Sequence, residues 1–252
     1  LHRDKLHGQK YSGKRDNCLT PLVEFDQKIL HLISVARYEE ALWTAEEELY
    51  YAETCFGNDH IETAKVLNNL GWICDMLNKD AAAEEYYLKA LETKILVCGG
   101  DSQELIPTLE NLIGFLINRG KLMRARDFLE KLLELTEIQN KLWRLRKSIY
   151  LCQLADVEDE LGFVDRAEAL LWESLAFLQT NYGFEHPNTA RVFAKLANFY
   201  EKHGNFGRAE YCYNRALKLL RKHFPGNHPD LKFIRDGLYN IYSELGINVK
   251  VP

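Results

Sequence analysis

The sequence predicts an all-α fold, a right-handed solenoid of helical hairpins, on three observations. An alanine returns every 42 residues, at Ala41, Ala83, Ala125, Ala167 and Ala209. Five residues before each stand Ala36, Asn78, Gly120, Gly162 and Gly204, and the same step reaches Gly246. Thirteen residues before each, after Lys28, come Leu70, Leu112, Leu154 and Leu196, with Leu238 in a sixth unit. A period of this length belongs to arrays in which each helical unit buries its apolar face only by stacking on its neighbours.

The fifth unit carries the pattern most clearly. His186-Pro187-Asn188 opens its first helix, because proline suits a first turn where its missing N–H would have no partner. Val192, Phe193, Leu196, Ala197 and Tyr200 then recur at three- and four-residue steps, one apolar helix face. Gly204-Asn205 ends that helix, glycine accepting the left-handed backbone of a C-cap. A second helix follows, with Ala209, Tyr213, Ala216, Leu217 and Leu220 inward, and Phe224-Pro225-Gly226 stops it. Ala209 and Ala216 are small where two helices approach, and Phe193, Leu196 and Tyr213 fill the gaps between hairpins.

Earlier units erode the pattern: unit one has Lys28 where others have Leu, and unit three has Leu132 where two others have Ala. The sixth unit has a first helix through Gly246 and no second one. Phe233, Leu238, Tyr239 and Tyr242 predict an apolar face there, so this helix either caps the array or is followed by more of it. Three segments result: a basic flexible arm over 1–18, the repeat array over 19–246 and a tail over 247–252. The arm holds five Lys/Arg and two Asp, so it is +3 while the rest of the chain is −8. It is expected either as an ordered linker or lying against an acidic surface of its own or a neighbouring chain.

Composition limits the function. A net charge of −5 and a pI near 6.0 exclude a global basic surface, so nucleic acid is not expected as a partner. No apolar run approaches the eighteen or so residues that cross a bilayer. The six cysteines form no C-x-x-C pair and read as reduced thiols of a cytoplasmic protein. The chain opens on Leu1, which suggests a fragment or a processed chain. His60, His186 and His228 recur at the same joint and mark helix entries instead of clustering as ligands. No phosphate loop, nucleophile elbow or HExxH helix occurs, so an enzyme, a metal and a cofactor are not expected.

The spacing Leu196-Ala197, Tyr200, Gly204, Ala209, Tyr213, Ala216, with Leu70-Gly71, Ala83, Tyr87, Ala90, resembles the tetratricopeptide repeat family. The 42-residue unit and the joints Gly57 to His60, Gly183 to Pro187 and Gly226 to Pro229 are similar to the kinesin light chain subgroup. Units three and four depart from that joint, with Gly99 to Ser102 and Lys141 to Arg144 in its place. The resemblance covers roughly 19–246 and implies a protein-interaction scaffold or adaptor whose first helices line a concave groove.

Carried over position by position, the groove would present Asp26 with Val23 and Leu30, then Lys65, Asn68, Trp72, Asp75 and Met76, then Glu110. It would continue with Asp156, Asp159 and Glu160, and with Asn198 and Glu201 beside Arg191 and Lys202. Seven acids stand against three bases, unlike the basic grooves of better-known relatives, so a basic or apolar protein or peptide segment is the expected ligand. Trp72 is a candidate anchor, while Trp43, Trp143 and Trp172 are expected to pack on second helices or at the irregular joint. The alternatives are a structural subunit of a larger, cytoskeletal or motor-associated assembly, a regulatory part of a longer polypeptide, and self-association through the arm or the last helix.

Overall fold

The computed structural model describes residues 18–137 and 141–247. The arm and the tail therefore lie, apart from Cys18 and Ile247, outside the described residues, as does the side chain of Trp143. Among those residues all regular structure is helical, as the period requires. The chain divides into two compact units, through Lys121 and from Leu122.

The first unit holds α1 (Leu19–Ser34), α2 (Tyr38–Phe56), α3 (Ile61–Met76), α4 (Asp80–Cys98) and α5 (Ile106–Asn118), the last entered through a 3-10 turn at Gln103–Leu105. Each helix packs on the next, and α3 also meets α5. The second unit holds α6 (Leu122–Glu137), α7 (Lys141–Glu160), α8 (Val164–Tyr182), α9 (Pro187–Lys202), α10 (Phe206–Leu220) and α11 (Pro229–Glu244). Here too neighbours pack in order, and α9 also meets α11. Such serial, nearest-neighbour packing is the architecture of an α-solenoid of helical hairpins.

The six-fold series five residues before the alanines is a set of left-handed helix ends. Ala36, Asn78, Gly120, Gly162, Gly204 and Gly246 have φ of 58°, 55°, 68°, 87°, 70° and 67°. In each the following amide closes the same bond back across the turn, from Arg37 N to Leu32 O at 2.8 Å through Ile247 N to Tyr242 O at 2.8 Å. The joints between units are equally uniform. Nδ1 of His60, His186 and His228 accepts the amide of Glu62, Asn188 and Asp230, each at 3.2 Å. Each imidazole also lies against an aromatic ring, Phe56 and Tyr182 at the end of the preceding helix and Phe224 in the turn after α10. The histidines are N-caps, and Ser102 does the same work for Glu104 N at 3.2 Å.

Three charged residues occupy repeat positions that other copies fill with uncharged buried side chains. Glu48 stands where Ala90, Ser174 and Ala216 stand, Lys94 where Ala52 and Leu178 stand, and Glu158 where Cys74 and Leu116 stand. Lys94 Nζ donates to Glu104 O at 2.9 Å, which satisfies part of its charge. Glu158 Oε1 lies 2.9 Å from Arg166 Nη1, an ion pair whose angle falls short of a hydrogen bond. Glu48 Oε2 has no partner.

Two expectations need correction. Leu238 of α11 is fully buried with Leu231, Ile234 and Ile241 and contributes nothing to an open face. Where α9 carries the buried Ala190, Phe193 and Ala197, α11 carries Lys232, Arg235 and Tyr239, so its outer side is mixed in polarity. Phe233 and Tyr239 remain exposed, and the Tyr242 hydroxyl donates to Glu210 Oε1 at 2.7 Å. Trp43 and Trp172, expected to pack, are 64% and 41% exposed, although Trp172 still touches the next hairpin through the Tyr200 hydroxyl.

Candidate functional site

The face of the first helices is the candidate site, and each unit has its own part of it. In the first unit α1 offers exposed Val23, Asp26 and Leu30, and α3 offers Lys65, Asn68, Trp72, Asp75 and Met76. Trp72, Asn68, Asp75 and Glu110 are half-buried, whereas Asp26, Lys65 and Met76 are exposed. Side chains one repeat apart come together because successive first helices lie side by side. Asn69 Nδ2 donates to Asp26 Oδ1 at 3.4 Å, and Asn111 Nδ2 to Asn68 Oδ1 at 3.2 Å. Arg119 Nη2 donates to Asp75 Oδ1 at 2.9 Å while its Nε reaches Asp80 Oδ1 at 2.8 Å. Its guanidinium also lies 5.3 Å from the centre of the Phe115 ring.

Asp26 lies between a second carboxylate and one ammonium. Burial, and then the charge of Glu62, push its carboxyl above the ordinary range, with Lys65 working against them. Lys65 itself pairs with Glu62 at 2.9 Å. The local balance is thus two carboxylates to one ammonium.

In the second unit α7 offers Asp156, Asp159 and Glu160, and α9 offers Asn198 and Glu201. Asp156 pairs with Lys195, and Asp159 with both Lys202 and His203, the latter at 2.6 Å. Burial raises the Asp159 carboxyl, but the hydrogen bonds from Lys202 and His203 outweigh it and hold it below the usual range. Glu201 Oε2 accepts the Tyr213 hydroxyl at 2.8 Å, and Arg191 pairs with Asp230 at 3.1 Å. Glu160 and Asn198 are exposed. Cys152, one turn before Asp156 on α7, is buried.

Arg119, Lys195 and His203 were missed by the sequence count, although a signal existed. Asp75 to Arg119 and Asp159 to His203 are both 44 residues apart, one repeat plus a short step, and Asp156 to Lys195 is 39. These partners offset part of the negative charge that seven acids against three bases implies.

A second feature had no sequence signal. A surface recess of about 480 Å³ in the second unit is lined by Glu168, Trp172, Tyr200, Arg208 and Tyr211, among others. Trp172 Nε1 donates to the Tyr200 hydroxyl at 3.0 Å, and Arg208 Nη1 to Glu168 Oε1 at 2.9 Å. Among the described residues no group of three metal-ligating side chains occurs, and no helix is long and apolar enough to cross a membrane.

Serial hairpins with an exposed first-helix face define a helical-repeat protein of the interaction type. The tetratricopeptide repeat profile matches residues 29–94 and 146–222, more than half of the chain. The chain belongs to the tetratricopeptide repeat family. Proteins of this family are generally non-enzymatic scaffolds that bind other proteins. No curated protein matches the sequence. Among solved structures, BtubC (BKLC) from P. vanneervenii is similar with a TM-score of 0.63 at 19% identity, covering 88% of this chain and 84% of that one. A Podospora anserina putative kinesin light chain with nearly identical repeats gives 0.70 at 16%, covering 80% and 96%. MamA from Desulfovibrio magneticus gives 0.57 at 12%, covering 84% and 99%. These likenesses concern the fold.

Proposed function

We propose that the array is a non-enzymatic adaptor whose first-helix face takes a basic or apolar segment of a protein partner. The observation that carries this reading is the mixture on the first unit. Exposed Val23, Leu30 and Met76 alternate with Asp26 and Glu62, of which Asp26 is under-compensated. An apolar stripe edged by surplus carboxylate suits a segment in which lysine or arginine interrupts aliphatic residues. Asp26, Lys65, Asn68, Trp72, Asp75 and Glu110 would contact it in that unit, and Asp156, Asp159, Glu160, Asn198 and Glu201 in the other. A cytoplasmic adaptor related to kinesin light chain is the form of this reading that the 42-residue period favours.

The test is a library of short peptides varied in charge, bound to the whole chain at low and high salt. Enrichment of basic-apolar sequences, reduced at least tenfold by Asp26→Lys with Glu62→Lys, supports the reading. Enrichment of acidic peptides, or of none, overturns it.

A second reading has its own observation. Trp43, Tyr50 and Leu96 are exposed on second helices of the first unit, at 64%, 49% and 68%, and Trp172 and Tyr211 line the recess of the second. Aromatic residues at such positions favour a subunit held in an assembly by its second helices. Substituting Trp43 and Trp172 by Ala would then abolish partner capture while leaving peptide binding unchanged.

A further inference from the structure

The second helices of the first and fifth hairpins have the same repeat positions and opposite charge. Every charged side chain of α2 is a glutamate. α10 and the turn after it carry Arg208, Arg215, Lys218, Arg221 and Lys222 against one acid, Glu210, whose carboxylate accepts the Tyr242 hydroxyl. The contrast falls position by position: Glu40, Glu47 and Glu53 stand four repeats before Arg208, Arg215 and Arg221. On α2 the exposed Glu39, Trp43, Glu46, Glu47 and Tyr50 follow one another at three- and four-residue steps and share the solvent face. On α10 the same steps join exposed Arg208 and Tyr211, half-buried Arg215 and exposed Lys218.

Both faces keep charge that the chain does not offset. Glu39 pairs with Lys79 and Glu40 with Arg37, while among the described residues no ion pair engages Glu46 or Glu47. Arg208 pairs with Glu168 and Lys222 with Glu185, while none engages Arg215, Lys218 or Arg221. Beside Arg208 opens the recess of about 480 Å³, with Trp172 of α8 and Tyr211 of α10 as exposed walls. Gly207 in its lining leaves out the side chain that Glu39, Ala81 and Asp165 supply in other copies.

We infer that α2 of one copy of this chain docks on α10 of a second copy, Trp43 entering the recess and the glutamates meeting Arg215, Lys218 and Arg221. The inference rests on the second-helix reading given above and names the partner. An exposed tryptophan seated in an aromatic-walled recess is the kind of anchor that supplies most of the energy of a protein contact. The opposed charges supply orientation and a dependence on salt. Two α2 faces, or two α10 faces, would set like charges together, so the contact joins unlike faces. Such a head-to-tail contact leaves one face of each kind open on every pair, and association continues past the dimer.

The test follows the mass of the whole chain by sedimentation as its concentration rises to about 0.3 mM. The expected mass grows beyond the dimer, with an apparent affinity at least tenfold weaker at about 0.5 M salt than at about 0.05 M. Glu46→Lys with Glu47→Lys, and separately Lys218→Glu with Arg221→Glu, should each leave monomers. Mixed in equal amounts, the two variants should associate again, because each reverses the unpaired charge of one face and keeps the other. Misfolded chains could not give that rescue. A parent chain that stays at monomer mass throughout, or a mixture that does, overturns the inference. So does an acidic peptide that binds the α10 face of a monomeric chain, which assigns that face to another protein. If chains stay monomeric while Trp43→Ala and Trp172→Ala still abolish capture of a different protein, the second-helix reading stands and this inference alone falls.

Discussion

Tyr87 lies flat against Gly71: a Cβ built on that glycine would stand 2.7 Å from the ring. The contact closes the α3–α4 hairpin with the ring fully buried. A ring that cannot leave makes the added methyl a steric load. Gly71→Ala should cost about 1–3 kcal/mol, read as a lower urea midpoint with unchanged slope. Gly114→Ala, in a helix with nothing near its Cβ position, should be neutral or slightly stabilising.

Ala36 and Asn78 hold φ of 58° and 55° where the other four copies have glycine. The left-handed backbone costs a residue with a Cβ roughly 1 kcal/mol. Ala36→Gly should therefore stabilise the chain by somewhat less than that, since glycine also loses more entropy on folding. Asn78→Gly should gain less, because asparagine tolerates this region. Thermal melts of the two variants check the ranking.

Glu48 is 1% exposed, and burial, with the charge of Asp26 second, pushes its carboxyl up to about 8 from 4.5. The folded chain keeps the proton after the unfolded chain has released it. Stability from this group is complete below pH 4.5, falls as pH rises towards 8 and is level above it. Glu48→Ala, the residue of the Ala90 and Ala216 copies, should remove that slope, so the variant gains stability relative to the parent as pH rises from 5 to 8, against a constant cost for the space left. Urea melts across pH 5 to 9 measure both effects. A steeper slope in the variant would refute the account.

Asp159 behaves in the opposite sense. Its carboxyl is held below the ordinary 3.8 once folded, so its contribution is present above that value and disappears as pH falls through the folded pKa. Asp159→Asn should cost about 1–2 kcal/mol near pH 7 and nothing near pH 2. Parallel acid titrations of the two proteins should converge there.

The repeat was legible because helix ends and close contacts demand particular residues: glycine or asparagine at left-handed turns, alanine where Ala83 and Ala209 are buried. The histidines were legible as helix entries for the same reason, their Nδ1 atoms being placed by the backbone. The charge state of the groove was not. It depends on pairs such as Asp75 with Arg119, whose partners lie on different helices and outside the motif positions. The polarity of α11 was misread because Leu238 was assigned to its outer side. Lys232 and Arg235, which mark that side, carry no motif.

The buried charges have a consequence for how such a chain finds its order. Hairpins of similar backbone invite slippage, in which one copy docks in the seat of the next and the count goes wrong by a whole unit. Here the seats are keyed. A chain shifted by one unit would place Lys94 away from the carbonyl of Glu104 and Glu158 away from Arg166, stranding two ions in apolar surroundings. We expect refolding to yield one arrangement, with Lys94→Leu and Glu158→Leu giving a firmer but more error-prone array. The departures from the repeat would then act as addresses, spelling out which hairpin follows which.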